Sequence, residues 1–418
     1  MRKRAITTSL VHAGERFRPP VGVSSAIPIY STSSFIFDRV ETMDEIVEGE
    51  LEDFVYSRYG NPTVRALETA LAEIEGANFA RAFASGMAAI HAALLSCELR
   101  SGSVILFSRD IYGSTVELVR SLLTPFGVRA ELADFGNEKE LEEKISQYRP
   151  RAIFCETISN PLLRCTDIER CAELAKKHKA VLIVDNTFAT PVICRPIEFG
   201  ADLVVHSATK FLGGHADATG GVTAAGDEVF LQPLLSVQSL AGAVMSPFEA
   251  NSIRRGMKTL AIRIERQCEN AVWLAEKFEA SGLFSEVIHP SLFTGKDLAA
   301  AMKTLGRQTP CPIISVRLKD DTRQAAYAFL NRLNLCTRAT SVGDIFTGVV
   351  HPATATHREF SPKLRASLGI TEGLLRISVG IEDRAEIFED IKQAALAASQ
   401  QLNKTKNQKL HLEKSWQQ

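Results

Sequence analysis

Residues 151–209 read RAIFCETISNPLLRCTDIERCAELAKKHKAVLIVDNTFATPVICRPIEFGADLVVHSAT, and this stretch decides the architecture. Three runs in it, RAIFCET (151–157), AVLIVDNT (180–187) and ADLVVHSAT (201–209), are apolar and rich in β-branched residues. DIERCAELAKKHK (167–179), with helical spacing, separates the first two, and PVICRPIEFG (191–200) separates the last two. Strands that read as continuous apolar runs between helical patterns predict a parallel sheet covered on both faces.

The same alternation extends upstream. TVRALETALAEIEG (63–76) places Leu67, Leu71 and Ile74 on one helical face. AAIHAALLSC (88–97) reads as a helix and SVILFS (103–108) as a short strand. ELVRSLLTPFG (117–127) is a helical run that Pro125 and Gly127 close. Downstream the pattern changes. Residues 246–278 form one long helical pattern leading to strands at PIISVRLK (312–319) and LLRISVG (374–380). Helices at 322–333 and 383–402 complete a smaller α+β layer. The division expected is an arm over 1–55 that reaches a neighbouring subunit, a large domain over 56–247, a second domain over 248–402 and a polar, fraying tail over 403–418.

Composition narrows the function. With 418 residues, 45% hydrophobic and 23% charged, the chain is an ordinary globular protein able to bury its own core. Forty-eight basic against 49 acidic residues leave no basic excess for nucleic acid or an acidic membrane. The eight cysteines include no CxxC pair, which predicts reduced, buried thiols. The basic opening MRKRAITTSLVHAGERF lacks the apolar core of a secretory signal, so the expected compartment is the cytoplasm. His206, His215, His351 and His357 show no metal-ligand spacing, and no metal is expected.

In open α/β sheets, ligand chemistry gathers at the carboxyl ends of the strands. Those ends carry Asp185 after VLIV, Lys210 after DLVVHSAT, and Asn160 after AIFCETIS. The turn Ser85–Gly86–Met87 opens a helix, and a helix N-terminus behind Ser-Gly receives anions well. A lysine, an aspartate and a phosphate site together are what pyridoxal 5'-phosphate chemistry needs: the lysine bonds the aldehyde, and the aspartate keeps the ring nitrogen protonated.

At these residues the chain resembles the Cys/Met-metabolism enzymes that use pyridoxal phosphate, over about residues 8–396. That family includes cystathionine γ-synthase, cystathionine γ-lyase, methionine γ-lyase and O-acylhomoserine sulfhydrylase. DLVVHSATKFLGGH (202–215) follows the family's lysine signature. VYSRYGNPT (55–63), ASGMAAI (84–90), IYGST (111–115), ETISNP (156–161), VDNTFATP (184–191), MSPFEA (245–250) and LLRISVGIED (374–383) match in family order. The resemblance implies the aspartate-aminotransferase-like α/β fold called fold type I, with a mostly parallel sheet and a smaller α+β domain. It implies Lys210 as the cofactor-bonding and proton-shuttling lysine, Asp185 on the ring nitrogen, Tyr112 stacked on the ring and Asn160 near its hydroxyl. Ser85, Gly86, Met87, Ser207 and Thr209 would bind the phosphate, and Tyr56 and Arg58 would reach the phosphate of a neighbouring copy. Arg376, with Ser341 beside it, would grip the substrate α-carboxylate. A dimer is then the smallest catalytic unit and a dimer of dimers the expected assembly.

Departures from the family pattern bear on the reaction. Ser114 and the pair Gln238–Ser239 stand where methionine γ-lyases usually carry a cysteine and a Lys-Asp pair. Phe346 sits where cystathionine-handling enzymes often place a glutamate. Gly113–Ser114–Thr115 and the segment 343–357 look most like the sulfhydrylase branch. Ala216, and residues 293–312, depart from the usual pattern near the expected mouth of the site. The expected activity is γ-replacement on an O-acyl-L-homoserine, of the sulfhydrylase or the cystathionine γ-synthase type, in sulfur amino-acid metabolism. The alternative is a carbon–sulfur lyase releasing 2-oxobutanoate and ammonia from cystathionine, homocysteine or methionine.

Overall fold

The computed structural model describes residues 24–358 and 360–415, with side chains through 399. The first 23 residues of the expected arm and the last three of the tail lie outside the described residues. A seven-stranded sheet is built from β1 (Phe79–Phe83), β2 (Val104–Ser108), β3 (Arg129–Ala133), β4 (Ala152–Glu156), β5 (Val181–Asp185), β6 (Leu203–Ser207) and β7 (Gly221–Ala225). Their spatial order is β1-β7-β6-β5-β4-β2-β3. β7 runs antiparallel to β1 and β6, and the other pairings are parallel.

The predicted parallel sheet is therefore present, and its burial explains the sequence pattern. Every residue of β2 and β4 is buried, as are Leu182, Ile183 and Val184 of β5. Fully burying such side chains contributes roughly 1.5–3 kcal/mol each, which is why these strands have no polar face. β1, β3 and β7, which lack a long β-branched run, escaped the sequence reading.

Register then fixes where the strands end. Glu156 lies opposite Asp185, and Asp185 opposite Val205. Thr157 N–H donates to Asp185 O at 3.0 Å and Asn186 N–H to Val205 O at 2.9 Å, so the pairing runs just past the strand ends. β4, β5 and β6 thus finish side by side.

The second sheet consists of β8 (Phe284–Ile288), β9 (Ile313–Leu318), β10 (Thr337–Arg338), β11 (Gly348–Val350) and β12 (Leu374–Ser378), in the order β10-β11-β12-β9-β8. It is antiparallel except for the short β10–β11 pair. The helices Leu260–Ser281 and Arg384–Ser415 cover it, with Phe278 and Phe388 stacked at 5.7 Å between ring centroids.

Two expectations are corrected. The helical pattern over 246–278 is two helices, Pro247–Met257 and Leu260–Ser281. A Cβ on Gly256 would lie 2.0 Å from the carbonyl oxygen of Gly213, so the first helix ends tightly against another segment. Arg263 spans the break, donating to Gly256 O and Phe211 O at 2.9 Å each. The last helix also continues to Ser415, past the expected end at 402. In the segment 24–55, a helix at Val40–Val47 interrupts an otherwise extended path. All eight cysteines are free, seven of them buried and Cys165 half-buried.

Candidate active site

The turn after β6 is wound tightly by its own backbone. Lys210 N–H donates to Ser207 O at 3.1 Å, Gly213 N–H to Ala208 O at 3.0 Å, and Gly214 N–H to Lys210 O at 2.8 Å. Gly214 has a φ of 75°, and a Cβ there would meet the Arg263 guanidinium at 2.1 Å. Only glycine combines that left-handed turn with that contact. The wound turn directs Lys210 toward Ser341, whose Oγ accepts from Nζ at 3.4 Å. Burial lowers the Lys210 amine below the ordinary lysine range; Arg376 lowers it further and Asp344 opposes.

Facing this turn is the start of the helix Gly86–Leu95. Ser85 caps it by accepting from Ala88 N–H at 3.2 Å. The first N–H groups of a helix have no intrahelical acceptor. A Cβ on Gly86 would come within 2.8 Å of Ser207 Cβ, so the helix start and the end of β6 close together as a cradle. Thr209 adds a hydroxyl that accepts from Gly220 N–H at 3.0 Å.

Asp185 ends β5 as expected. Its Oδ1 takes both bonds from Thr187, N–H at 2.9 Å and O–H at 2.5 Å, leaving Oδ2 without a donor among the described residues. Burial raises its pKa, while the Thr187 bonds and His206 oppose. Beside it, Glu156 accepts from Tyr112 N–H at 2.7 Å and Asn160 N–H at 2.9 Å. Burial, and then the Asp185 charge, push Glu156 well above the usual carboxylate range.

Arg376 reaches the same place from β12. It is 2% exposed. It donates to Asn160 Oδ1 at 2.9 Å and weakly to the carbonyls of Thr340 and Ser341. Its Nε is buried with no partner, an arrangement that suits an incoming carboxylate. Burial lowers its pKa to about 10.

One cavity of about 270 Å³ joins these groups. Ser85, Gly86, Met87, Tyr112, Asn160, Asp185, Ser207, Thr209, Lys210 and Arg376 all line it. Ser341 stands behind Lys210. Tyr56 and Arg58 do not line it; Tyr56 is exposed, and the half-buried Arg58 donates to Ser239 O at 2.7 Å and packs over the Tyr59 ring. Sequence reasoning missed Glu156, Thr187 and Thr356, although each lies within or beside a quoted motif. Ser114, Gln238 and Phe346 lie outside the lining, and Gln238 spends its amide on Ala82 O at 2.6 Å. That glutamine is a packing residue between a helix and β1.

The cavity fits pyridoxal phosphate on this geometry: a buried amine with a depressed pKa, a carboxylate oxygen open to a ring N–H, and a helix start cradled against Ser207 for the phosphate. Fold and site together define a fold type I enzyme that works on an amino acid through this cofactor. A family model described as Cys/Met metabolism PLP-dependent enzyme matches residues 7–396. Similar proteins include an L-methionine γ-lyase of Porphyromonas gingivalis, 40% identical over 88% of this chain and 91% of that one. A cystathionine β-lyase of Lactococcus lactis subsp. cremoris is 37% identical over 93% and 98%. A solved Campylobacter jejuni chain, provisionally described as an O-acetylhomoserine (thiol)-lyase and carrying a pyridoxyl-lysine monophosphate, superposes with a TM-score of 0.85 at 29% identity, covering 91% of this chain and 97% of that one. The chain belongs to the Cys/Met-metabolism family of pyridoxal-phosphate enzymes. Among the described residues, no helix is long and apolar enough to cross a membrane.

Proposed function

We propose that this enzyme catalyses γ-replacement on an O-acyl-L-homoserine, with sulfide or a small thiol as the incoming nucleophile. The charge inventory of the cavity carries this reading. Apart from Glu156, Asp185, Lys210 and Arg376, every lining side chain is neutral. Each charged group is already engaged. Arg376 holds the α-carboxylate, Asp185 faces the ring nitrogen, Lys210 bonds the cofactor, and Glu156 fixes the backbones of Tyr112 and Asn160. Among the described residues of one chain, no other charged side chain lines the cavity for the far end of a substrate. A neutral γ-substituent such as an O-acetyl ester therefore fits better than the ammonium-bearing arm of cystathionine or the carboxylate of a succinyl ester.

When bound, pyridoxal phosphate supplies an electron sink for charge developing at the substrate's α-carbon. Ser85, Gly86, Met87, Ser207 and Thr209 would hold its phosphate, and Lys210 would hold it through its aldehyde. Lys210 Nζ takes the Cα proton and shuttles protons among the α, β and γ carbons. Burial and Arg376 lower the pKa of that amine, the direction that helps it accept a proton. Tyr112, its backbone anchored by Glu156, would stack on the ring and meet the substrate amine. Tyr56 and Arg58, outside this chain's own cavity, serve the phosphate site of a neighbouring copy, so the working unit is a dimer.

The similarity to methionine γ-lyase at 40% identity favours a second reading, γ-elimination. Product analysis separates the two. Purified, cofactor-loaded enzyme is given O-acetylhomoserine, with and without sulfide, with O-succinylhomoserine as the charged comparison and L-methionine in parallel. Homocysteine formed only with sulfide is the expected result. Dominant 2-oxobutanoate in every tube would replace this reading with the lyase.

A further inference from the structure

Behind one wall of the reaction cavity lies a second, polar recess of about 860 Å³. Three arginines line it: Arg323 from the helix Arg323–Leu330, Arg358 from a loop, and Arg365 from the helix Pro362–Ser367. Tyr327, Thr354 and Ser361 add hydroxyl groups, and among the described residues no acidic side chain lines it. Like charges gathered from three separate segments repel one another unless something compensates them.

Glu372 compensates in part. It accepts from Arg323 Nε at 2.8 Å and Nη2 at 3.2 Å, and from Arg365 Nη2 at 2.7 Å. One carboxylate against three guanidinium groups leaves a positive surplus. Donors are left over as well. Arg358 is exposed and has no side-chain partner among the described residues. Arg365 is 5% exposed; its Nη1 donates to Phe360 O at 2.8 Å, and its Nε is buried with no partner. Unspent guanidinium groups of this kind suit an oxyanion, whose oxygens match the planar fork two at a time.

The recess shares a wall with the reaction cavity. Thr354 and Arg358 line the recess, while Thr356, between them in the chain, lines the cavity that holds Lys210. Phe360 lines the recess too, and a Cβ on Gly113 would meet its ring and Thr356 O at 3.4 Å each. Whatever fixes Arg358 therefore bears on a segment packed beside Tyr112.

We infer that this recess binds a dianionic oxyanion, either free phosphate or the phosphate group of an ester, and that its occupancy tunes the reaction cavity through the segment carrying Thr356. The recess is larger than the cavity that takes pyridoxal phosphate, so an ester fits as well as the bare anion.

The test is calorimetric titration of full-length, cofactor-loaded enzyme with inorganic phosphate and, separately, with glycerol 3-phosphate, at constant ionic strength. Loading fills the cofactor's own phosphate site. Arg358→Gln should weaken binding by about tenfold or more, the worth of one charge-assisted hydrogen bond. Lys363→Gln removes an exposed neighbouring cation outside the lining and should leave binding unchanged. Tighter binding of the ester would make an organic phosphate the ligand, and equal affinity the free anion. In steady-state kinetics the bound anion should shift the wild-type KM for the amino acid by about fivefold, the low end of coupling between two sites, and leave that of Arg358→Gln unmoved. Absence of saturable binding would overturn the site, as would binding that Lys363→Gln weakens as much as Arg358→Gln does. Binding governed by Arg358 with KM unmoved would keep the site and overturn its link to the reaction cavity.

Discussion

The two sheets contribute to the cavity in different ways. The seven-stranded sheet supplies Asp185, Ser207 and Lys210 from within three residues of the ends of β5 and β6, and the Ser85 turn follows β1. The five-stranded sheet sends one charged group, Arg376, from the middle of β12, with Thr340 and Val342 from the loop before β11. Parallel strands all point their carboxyl ends one way, so backbone direction alone gathers side chains there. Antiparallel strands alternate in direction, and their sheet delivers a group from its face. The first sheet is thus suited to hold the reacting centre, and the second to recognise what enters.

The sharpest way to break that division is Lys210→Ala. It should lower kcat/KM by on the order of 10³ or more, because one amine acts as both cofactor anchor and proton carrier. Retained turnover by the folded variant would remove the reacting centre from the first sheet. Arg376→Ala should cost about 10- to 100-fold in kcat/KM, the worth of hydrogen bonds to a charged group. Steady-state kinetics should show that loss mainly in KM for the amino acid. A fall in kcat with KM unchanged would mean that the second sheet takes part in the chemistry.

Legibility in the sequence followed the same division. β2, β4, β5 and β6 could be read because burial on both faces forces apolar runs. Lys210, Asp185 and Arg376 were legible through their motifs. The break between Met257 and Leu260 was not, because it depends on Gly256 lying against Gly213, a contact that no local periodicity encodes. The buried hydrogen bond between Glu75 and His206 joins residues 131 apart in sequence and was equally hidden. Ser114, Gln238 and Phe346 looked like markers of specificity in the sequence, yet all three lie outside the lining of this cavity.

The joint between the two halves offers a smaller effect. Gly256→Ala would press a methyl group into the Gly213 carbonyl, a backbone atom that cannot swing aside. Overpacking of this kind costs about 1–3 kcal/mol, measurable by urea denaturation. The turn carrying Lys210 should shift with it, because Arg263 ties Phe211 O to Gly256 O. Unchanged stability together with unchanged cofactor affinity would show that the joint yields freely.

The smallest effect expected lies on the second sheet, away from the cavity, where Glu372 joins two arginines. Arg323 Nε donates to it at 2.8 Å and Arg365 donates at 2.7 Å. The Arg323 bond, followed by that of Arg365, lowers its pKa from 4.5 to about 2. A carboxyl whose folded pKa is depressed adds stability that is fully present above its unfolded value and is lost as pH falls toward the folded one. The window here runs from about pH 4.5 down to about 2. A third of the Glu372 side chain and nearly half of Arg323 are exposed, so solvent screening limits the contribution to about 1 kcal/mol. Glu372→Gln should therefore lose about 1 kcal/mol at pH 7, and the gap from wild type should narrow as pH drops below 4.5. Turnover should stay within about twofold, the range of a surface change remote from the chemistry. A gap that persists undiminished at acid pH would assign the loss to packing of the side chain instead of its charge.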